Sequence, residues 1–232
     1  REGIATLKKA LVLAPEDNDI RSNFLQAGLG AAGLQDKAIT IQDRIAVLEQ
    51  VLEVDGDNAT AKRALAALLN NSGVAMGRSG DNEQEVLQLD KAAGLDPTSS
   101  QIKKNLATAY FNLGLKKGKA GHYGEEADYL RKALKLSPKD AIITEHLGRA
   151  VSNLAVKKGK EGDMGGQIAL LKESLEILPA DPVTKANLAA AYNNYAVSEG
   201  AGLTPEDRVS TLEAALKLDP NNKSTMGNLC NL

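Results

Sequence analysis

Apolar residues recur along most of the chain at spacings of three and four, the spacing of one face of an α-helix. Two such patterns alternate. Pairs such as Leu106 and Tyr110 carry the first pattern, and triplets such as Ile168, Leu171 and Leu175 carry the second. No segment combines sustained alternation of apolar and polar residues with β-branched enrichment, so the pattern predicts helices and no strands.

The two helical patterns belong to one repeat, because a turn residue recurs every 41 residues without an insertion. These turn residues are Pro15, Gly56, Pro97, Pro138, Pro179 and Pro220. They predict a single repeat domain over 1–232 with a half repeat at each end. Its parts are 1–14, 15–55, 56–96, 97–137, 138–178, 179–219 and 220–232.

The first helix of each unit, helix A, has a start and a stop signal. We number positions within a unit from the turn residue as zero. Position 2 always holds a preferred N-cap residue. These residues are Asp17, Asn58, Ser99, Asp140, Asp181 and Asn222. Position 21 is Asp36 in the first unit and then Gly77, Gly118, Gly159 and Gly200. The glycines predict that helix A ends there in a left-handed conformation after about 18 residues.

A second start signal stands at position 25 and predicts helix B, of about 14 residues. The residues at this position are Thr40, Asp81, His122, Asp163 and Thr204. Three residues later, Asp43, Gln84, Glu125 and Asp207 complete an approximate capping box in four of the five units, and Gly166 does not. Pro182 and Pro205 fall in first turns, where proline costs a helix nothing.

Helices joined by such short connections are antiparallel, and one pair alone leaves an apolar face in water. Stacking pair upon pair buries that face. The sequence therefore predicts an all-α solenoid of antiparallel helix pairs, without a compact globular centre.

Two recurring elements resemble the tetratricopeptide repeat over the whole chain. Helix A carries Asn-Leu-Ala-x-Ala-Tyr at 105–110 and 187–192, and helix B ends in Ala-Leu-x-Leu before a turn and Pro at 133–138 and 215–220. The resemblance implies a right-handed superhelix whose concave groove, lined by helix A, binds an extended peptide. The chain departs from the family in its period, which is usually about 34 residues, and in having no Trp.

Composition narrows the function. The 232 residues include 28 Lys and Arg against 30 Asp and Glu, and this net charge of −2 argues against a nucleic-acid partner. No apolar stretch approaches the roughly 18 residues that span a bilayer, so we expect no membrane insertion. The lone Cys230 is compatible with a reducing cytoplasm, which we favour, and with an oxidising compartment.

Catalytic and cofactor motifs are weak. The glycines Gly28, Gly30 and Gly33 match a dinucleotide-binding pattern, but they lie inside a predicted helix without a preceding strand, so close helix packing is the better explanation. His122 and His146 occupy unrelated register positions, where a helix cap and a variation on Asn account for them. We therefore expect no enzyme, no cofactor and no metal site.

The informative polar feature is a row of Asn residues in helix A, at positions 8 and 15. Because Asn is a poor helix former, its recurrence in helix interiors needs a reason. One reason is bonding between repeats; the other is recognition of a peptide backbone, since an amide both donates and accepts. In the tetratricopeptide-repeat family that the chain resembles, the Asn that corresponds to position 8 contacts peptides. We therefore expect position 8 to face a ligand more than position 15. The predicted groove residues are Asn105, Asn112, His146, Arg149, Asn153, Asn187 and Asn194.

Six lysines stand in the last turn of helix A in two adjacent units: Lys116, Lys117, Lys119, Lys157, Lys158 and Lys160. The helix dipole favours cations there by roughly 0.3–1 kcal/mol each, which explains them without a ligand. The alternative is a positive rim that attracts an acidic peptide or partner surface.

The half repeats suggest a second function. The chain begins with a helix B at about 2–13 and without Met, which suggests a fragment or processed form, and it stops within a helix A at about 223–232. The two halves together make one unit, so we expect end-to-end self-association, or stacking on other parts of a longer protein. The leading hypothesis is a non-catalytic protein-interaction scaffold; the alternative is a self-assembling structural module.

Overall fold

The computed structural model describes residues 2–33, 39–198 and 201–232, and within these ranges the chain forms α-helices and no strand. The helices at the A register are α2 (Asn18–Gly33), α4 (Ala59–Arg78), α6 (Ser100–Lys119), α8 (Ala141–Lys160), α10 (Pro182–Val197) and α12 (Lys223–Cys230). The helices at the B register are α1 (Glu2–Leu13), α3 (Ile41–Val54), α5 (Asn82–Leu95), α7 (Tyr123–Leu136), α9 (Met164–Ile177) and α11 (Pro205–Leu218). Each B helix ends 41 residues after the preceding one.

The chain forms two compact units, 1–109 and 110–232, and the boundary between them falls within α6. In the first unit, α1 to α5 pack in chain order around Phe24, Leu48 and Leu65. In the second unit, α7 to α12 also pack in chain order, and Leu171 and Leu188 lie in the core. Within each unit, helices pack against their neighbours in the chain, and the A helices α2 and α4, α8 and α10, and α10 and α12 also contact each other. The predicted all-α class is confirmed, and so is the predicted stacking of neighbouring helices within each unit.

The predicted N-caps of helix A are confirmed, because each cap side chain accepts a hydrogen bond from a backbone N–H in the first turn. The accepted N–H groups belong to Asp19 and Ile20, Ala61, Ile102, Ile142 and Ile143, Thr184 and Thr225. These bonds satisfy amides that the helix itself leaves unpaired.

The capping boxes of helix B are complete at α3 and α11 alone among the described helices, through Thr40 with Asp43 and Thr204 with Asp207. Asp81 caps α5 without a reciprocal bond from Gln84. His122 stands at the N-cap of α7 and makes no side-chain cap bond there, and Glu125 pairs with Lys117 at 3.0 Å and with His122 at 3.3 Å. The prediction of four capping boxes is therefore wrong at two of them.

The predicted end of helix A is also wrong. Gly77, Gly118 and Gly159 lie inside α4, α6 and α8, and the left-handed glycines come three residues later. They are Gly80, Gly121 and Gly162, with φ of 89°, 78° and 87°. Asp36 and Gly200, the other two residues predicted at this place, lie outside the described residues.

Close packing explains the three glycines inside helix A. A methyl group on Gly77 would overlap the carboxylate of Glu85, and one on Gly118 would overlap that of Glu126. Gly159 stands in the same relation to the amide of Gln167. Glycine thus leaves room for a long polar side chain of helix B that lies across the last turn of helix A.

Glu85 and Glu126 are more than nine-tenths buried at this crossing. Burial raises the pKa of both carboxyl groups, because the charged form loses hydration, and a hydrogen bond from Asn82 partly offsets the rise in the pKa of Glu85. A folded-state pKa above the unfolded value favours the folded state while the group is protonated. That advantage is lost as the pH rises through the raised pKa.

Replacing Glu126 by Gln is expected to raise the free energy of unfolding at pH 7 by about 0.5–2 kcal/mol, because the buried charge disappears while the side chain keeps its shape. Urea unfolding at several pH values measures this. The gain should shrink as the pH falls toward 4.5, the ordinary value for Glu. The matched control is Gln167→Glu, which should destabilise at pH 7. Equal stability of Glu126→Gln and the parent at pH 7 would contradict this reading.

Position 5 of helix A carries a buried hydroxyl in two repeats, at Thr184 and Thr225. Thr184 Oγ1 donates to Ser152 Oγ at 3.1 Å, and Ser174 Oγ donates to the carbonyl oxygen of Gly148 at 2.8 Å. Thr225 is equally buried, but its Oγ1 finds no hydrogen-bond partner among the described residues. A buried hydroxyl without a partner costs free energy that a methyl group does not.

Thr225→Val is therefore expected to stabilise the chain by about 1 kcal/mol, whereas Thr184→Val should destabilise it by about 1–3 kcal/mol, because it removes the partner of Ser152. Thermal unfolding of the two variants beside the parent measures the difference. A shift of the same sign in both variants would show that bonding of the hydroxyl does not distinguish the two sites.

Candidate functional site

Exposed side chains form one row along each of the A helices α2, α4, α6, α8 and α10, at positions 4, 7, 11 and 15. In the second compact unit, residues 110–232, these rows contain four of the predicted groove residues: Asn112, Arg149, Asn153 and Asn194. His146 and Asn187 are half-buried beside it, at position 8. In the first unit, Asn105 occupies position 8 and is also half-buried. Among these residues, position 15 is therefore more exposed than position 8, whereas the sequence led us to expect position 8 to face a ligand more than position 15.

Two of the half-buried amides at position 8 bond to the preceding repeat. Asn105 Nδ2 donates to Asn70 Oδ1 at 2.8 Å, and Asn228 Nδ2 donates to Asn193 Oδ1 at 2.8 Å. In both pairs, position 8 of one A helix meets position 14 of the A helix before it. The amide also accepts from its own helix in one case, because Gln101 Nε2 donates to Asn105 Oδ1 at 2.9 Å.

One repeat further along, positions 14 and 8 are joined by an aromatic pair instead of by two amides. Phe111 stands at position 14 and His146 at position 8 of the next A helix, and their rings meet edge to face with centroids 5.2 Å apart and planes at 82°. His146 thus makes the contact between repeats that Asn makes elsewhere. This geometry is favourable for aromatic pairs.

Asn187 is the exception among these position-8 residues. Its position-14 counterpart is Ser152, which is buried and accepts from Thr184 instead. Within the described residues, no hydrogen bond joins Asn187 to the preceding A helix. Its amide therefore keeps its donors and its acceptor for another partner.

The position-15 amides are more open. Asn112 and Asn153 are exposed, and so are Asn71 and Asn194. The last two accept weak hydrogen bonds from the preceding residue, at 3.3 Å from Asn70 and 3.4 Å from Asn193. A backbone peptide group laid across this row would find both donors and acceptors in it.

Arg149 is exposed and forms an ion pair with Glu145 one turn earlier, at 2.9 Å. Such a pair on an open surface contributes little stability. Its guanidinium has five donors, so it can bind a second carboxylate without losing the first.

The six predicted rim lysines lie in the second unit, at the ends of α6 and α8. Acidic neighbours compensate two of them. Lys117 pairs with Glu125 at 3.0 Å, and Lys158 lies 3.4 Å from Glu161 and 4.0 Å from Asp163. A surface cavity of about 300 Å³ between α7 and α8 is lined by both signs, with His122, Glu125, Lys157, Lys158 and Glu161 in its wall. Lys119, Lys157 and Lys160 are exposed.

Ile142 and Val183 were not among the predicted site residues. Both stand at position 4, at the start of α8 and α10, and they are 62% and 63% exposed. In the first three repeats this position is polar, with Asp19, Thr60 and Gln101. An apolar residue outside the buried positions 5, 9 and 13 is the sequence signal that could have identified them.

The other candidate chemistries have structural explanations. Gly28 lies inside α2, where an added methyl group would overlap Val51, as expected for close helix packing. The described residues contain no cluster of three or more His, Cys, Asp or Glu able to hold a metal ion. Within the same residues, no helix has the length and apolarity that crossing a membrane requires.

Residues 107–140 match the family described as tetratricopeptide repeat. This segment runs from α6 through α7 to the turn before α8. A comparison with curated proteins finds no match.

Among solved structures, the chain is similar to YrrB, a "TPR protein with an unusual peptide-binding site", at 16% identity over 95% of this chain and 96% of that one, with a TM-score of 0.27. It is similar to MamA from AMB-1 at 19% identity over 86% and 98%, with a TM-score of 0.28. It also resembles a Thermobaculum terrenum O-GlcNAc transferase at 22% identity over 69% and 26%, with a TM-score of 0.27. The chain thus spans about a quarter of that enzyme.

The contacts at position 8 predict different costs for two otherwise similar replacements. Asn105→Ala should lower the free energy of unfolding by about 0.5–1.5 kcal/mol, because it leaves Asn70 without its donor. Asn187→Ala should change it by no more than about 0.5 kcal/mol, since no bond between repeats is lost and Ala is the better helix former.

Chemical denaturation of the two variants measures these costs. Asn228→Ala is the control and should behave like Asn105→Ala, because it loses the equivalent bond to Asn193. Equal costs for Asn105→Ala and Asn187→Ala would contradict the assignment of position 8 to stacking.

Proposed function

We propose that this tetratricopeptide-repeat chain is a non-catalytic scaffold that binds an extended segment of a partner protein along the exposed rows of its A helices. The observation that carries the proposal is the row of exposed amides at position 15. Asn112, Asn153 and Asn194 recur in register on α6, α8 and α10, and all three are exposed. Each costs its helix about 0.5 kcal/mol relative to Ala, so stability does not account for them.

An extended segment is the partner that such amides suit. Its backbone N–H and C=O groups are unpaired, whereas those of a helix are already bonded within the helix. A side-chain amide donates to the one and accepts from the other. Amides that recur along the rows can therefore hold a strand-like segment largely independently of its side chains.

The half-buried residues at position 8 have a different role in this proposal. Asn105 and His146 hold neighbouring A helices together and so fix the spacing of the exposed rows. Asn187, which lacks that bond, joins the exposed amides as a contact for the partner. Arg149 and the exposed Lys157 contribute positive charge, which favours a segment containing Asp or Glu.

Self-association is the second candidate function. Val12 and Leu13 at the end of α1 are 75% and 87% exposed, and Leu232 in the second unit is 60% exposed. Large aliphatic residues at this exposure favour contact with another apolar surface. Sedimentation equilibrium of the parent and of Val12→Asp would distinguish a self-associating chain from a monomer.

The scaffold proposal is tested by selecting random decapeptides on the immobilised chain and measuring the affinity of the enriched ones by fluorescence polarisation. The triple replacement of Asn112, Asn153 and Asn194 by Ala should weaken binding by about tenfold or more, because it removes the backbone contacts. The melting temperature should stay unchanged or rise, since Ala favours the helix.

The control is Asn18→Ala, which removes an exposed Asn at the start of α2 outside position 15. It should bind the enriched peptides as the parent does. Undiminished binding by the triple variant, or no enrichment of any peptide, would contradict the proposal.

A further inference from the structure

The connection between helix A and helix B takes two forms in this chain. In the second, third and fourth repeats, helix A ends at position 22, at Arg78, Lys119 and Lys160, and a left-handed glycine follows at position 24. In the fifth repeat, α10 ends four residues earlier, at Val197, and Ser198 is extended, with φ of −71° and ψ of 126°. The last turn that the three longer helices have is therefore absent from α10.

The residue at position 29 of helix B differs between the two forms. It is Glu85, Glu126 or Gln167 where helix A is long, and it is Arg208 where helix A is short. In the long form, this side chain lies against the glycine at position 21, inside the last turn of helix A.

Arg208 bonds to the end of α10. Its Nη1 donates to the carbonyl oxygen of Ala196 at 2.5 Å, and its Nη2 donates to that of Ser198 at 3.2 Å. These carbonyls stand at positions 17 and 19. A cation is favoured there, because the C-terminal end of a helix is the negative end of its dipole.

Backbone N–H groups occupy the same carbonyls where helix A is long. The carbonyl at position 17 lies inside the helix, where it accepts from the N–H of position 21. The carbonyl at position 19 accepts from the N–H of position 23 in all three repeats: Ser79 to Ala75 at 3.2 Å, Ala120 to Lys116 at 3.3 Å and Glu161 to Lys157 at 3.1 Å. The guanidinium and the last turn thus supply donors to the same two acceptors.

A guanidinium at position 29 therefore competes with the last turn of helix A. It has five donors, and a donor that leaves water without finding an acceptor costs free energy. Arg208 is half-buried, so it needs the carbonyls that the last turn would otherwise take. A Glu or Gln side chain is shorter and has fewer donors, so the backbone keeps these carbonyls and the helix continues.

We infer that position 29 of helix B determines where helix A ends. Arg supplies side-chain donors to the carbonyls and ends the helix at position 18, whereas Glu or Gln allows one more turn. In α6 the extra turn carries Lys116, Lys117 and Lys119, whereas at the end of α10 position 19 is Ser198. Position 29 thereby determines which repeats hold these lysines on a helical turn, and this does not depend on the proposed function.

Glu126→Arg tests the inference, because it changes position 29 and keeps the left-handed glycine at position 24. The guanidinium should take the carbonyls of Gly114 and Lys116, so the last turn of α6 should unwind. The ¹³Cα chemical shifts of residues 116–119 should then move from helical toward random-coil values. Amide exchange of Gly118 should accelerate by about tenfold or more, because its N–H loses the carbonyl of Gly114.

The reciprocal variant is Arg208→Gln, which removes both side-chain bonds to the end of α10. The carbonyl ¹³C shifts of Ala196 and Ser198 should move upfield, and the melting temperature should fall by about 2–4 °C. Gln167→Glu is the matched control, because both residues occur where helix A is long. In this control, α8 should keep its helical shifts as far as Lys160.

Two outcomes would overturn the inference. One is a folded Glu126→Arg variant whose helical shifts persist through Lys119, since the end of the helix would then follow the glycine at position 24. The other is an unchanged carbonyl shift at both Ala196 and Ser198 in Arg208→Gln, which applies even if Glu126→Arg fails to fold. Either result leaves the position-15 amides, and with them the proposed scaffold function, untouched.

Discussion

Each helical hairpin in this chain has more apolar surface than its own two helices can cover, and the rest of the structure follows from that constraint. The side chains of Phe24, Leu48, Leu89, Leu130, Leu171 and Leu212 have no exposed surface. Within each unit, they lose that exposure to neighbouring helices in the chain. Burial of an aliphatic or aromatic side chain of this size contributes about 1.5–3 kcal/mol, so a hairpin taken out of its stack would lose several such contributions.

Stacking also governs where polar side chains stand. At position 8 of α6, α8 and α12, the amide or ring contacts the previous A helix, and each pair joins groups of the same kind, amide with amide or ring with ring. Asn105 meets Asn70, Asn228 meets Asn193, and His146 meets Phe111. At position 15, on the same stripe of the helix, the amide faces solvent. Two Asn residues one heptad apart on the same helix thus have different roles.

Much of the fold could be predicted from the sequence, because the turn residues and N-caps recur in a fixed register. The predicted ends of helix A were wrong, because a glycine can mark either a left-handed turn or a close crossing of two helices. At Gly77 it marks a crossing, because the carboxyl of Glu85 occupies the place of a β-carbon. The true left-handed residue, Gly80, differs from it only in φ, and φ cannot be read from residue type.

The site was less predictable, because the difference between a stacking amide and an exposed one depends on the opposite residue in another repeat. Asn187 illustrates this: its counterpart is Ser152, which bonds to Thr184. The position-4 aliphatic residues Ile142 and Val183 could have been found from their departure from the polar residues of the first three units. Their exposure depends on the packing of α8 and α10.

The central claim is that the chain uses some amides for stacking and leaves others for a partner. The most direct measurement is the side-chain amide spectrum of Asn by ¹H–¹⁵N NMR, recorded with and without a selected decapeptide. The account predicts slow hydrogen exchange for Asn105 and Asn228 in the free chain. It also predicts that the peptide shifts the signals of Asn112, Asn153, Asn187 or Asn194. Uniformly fast exchange at Asn105 and Asn228, or peptide shifts confined to those two residues, would contradict it.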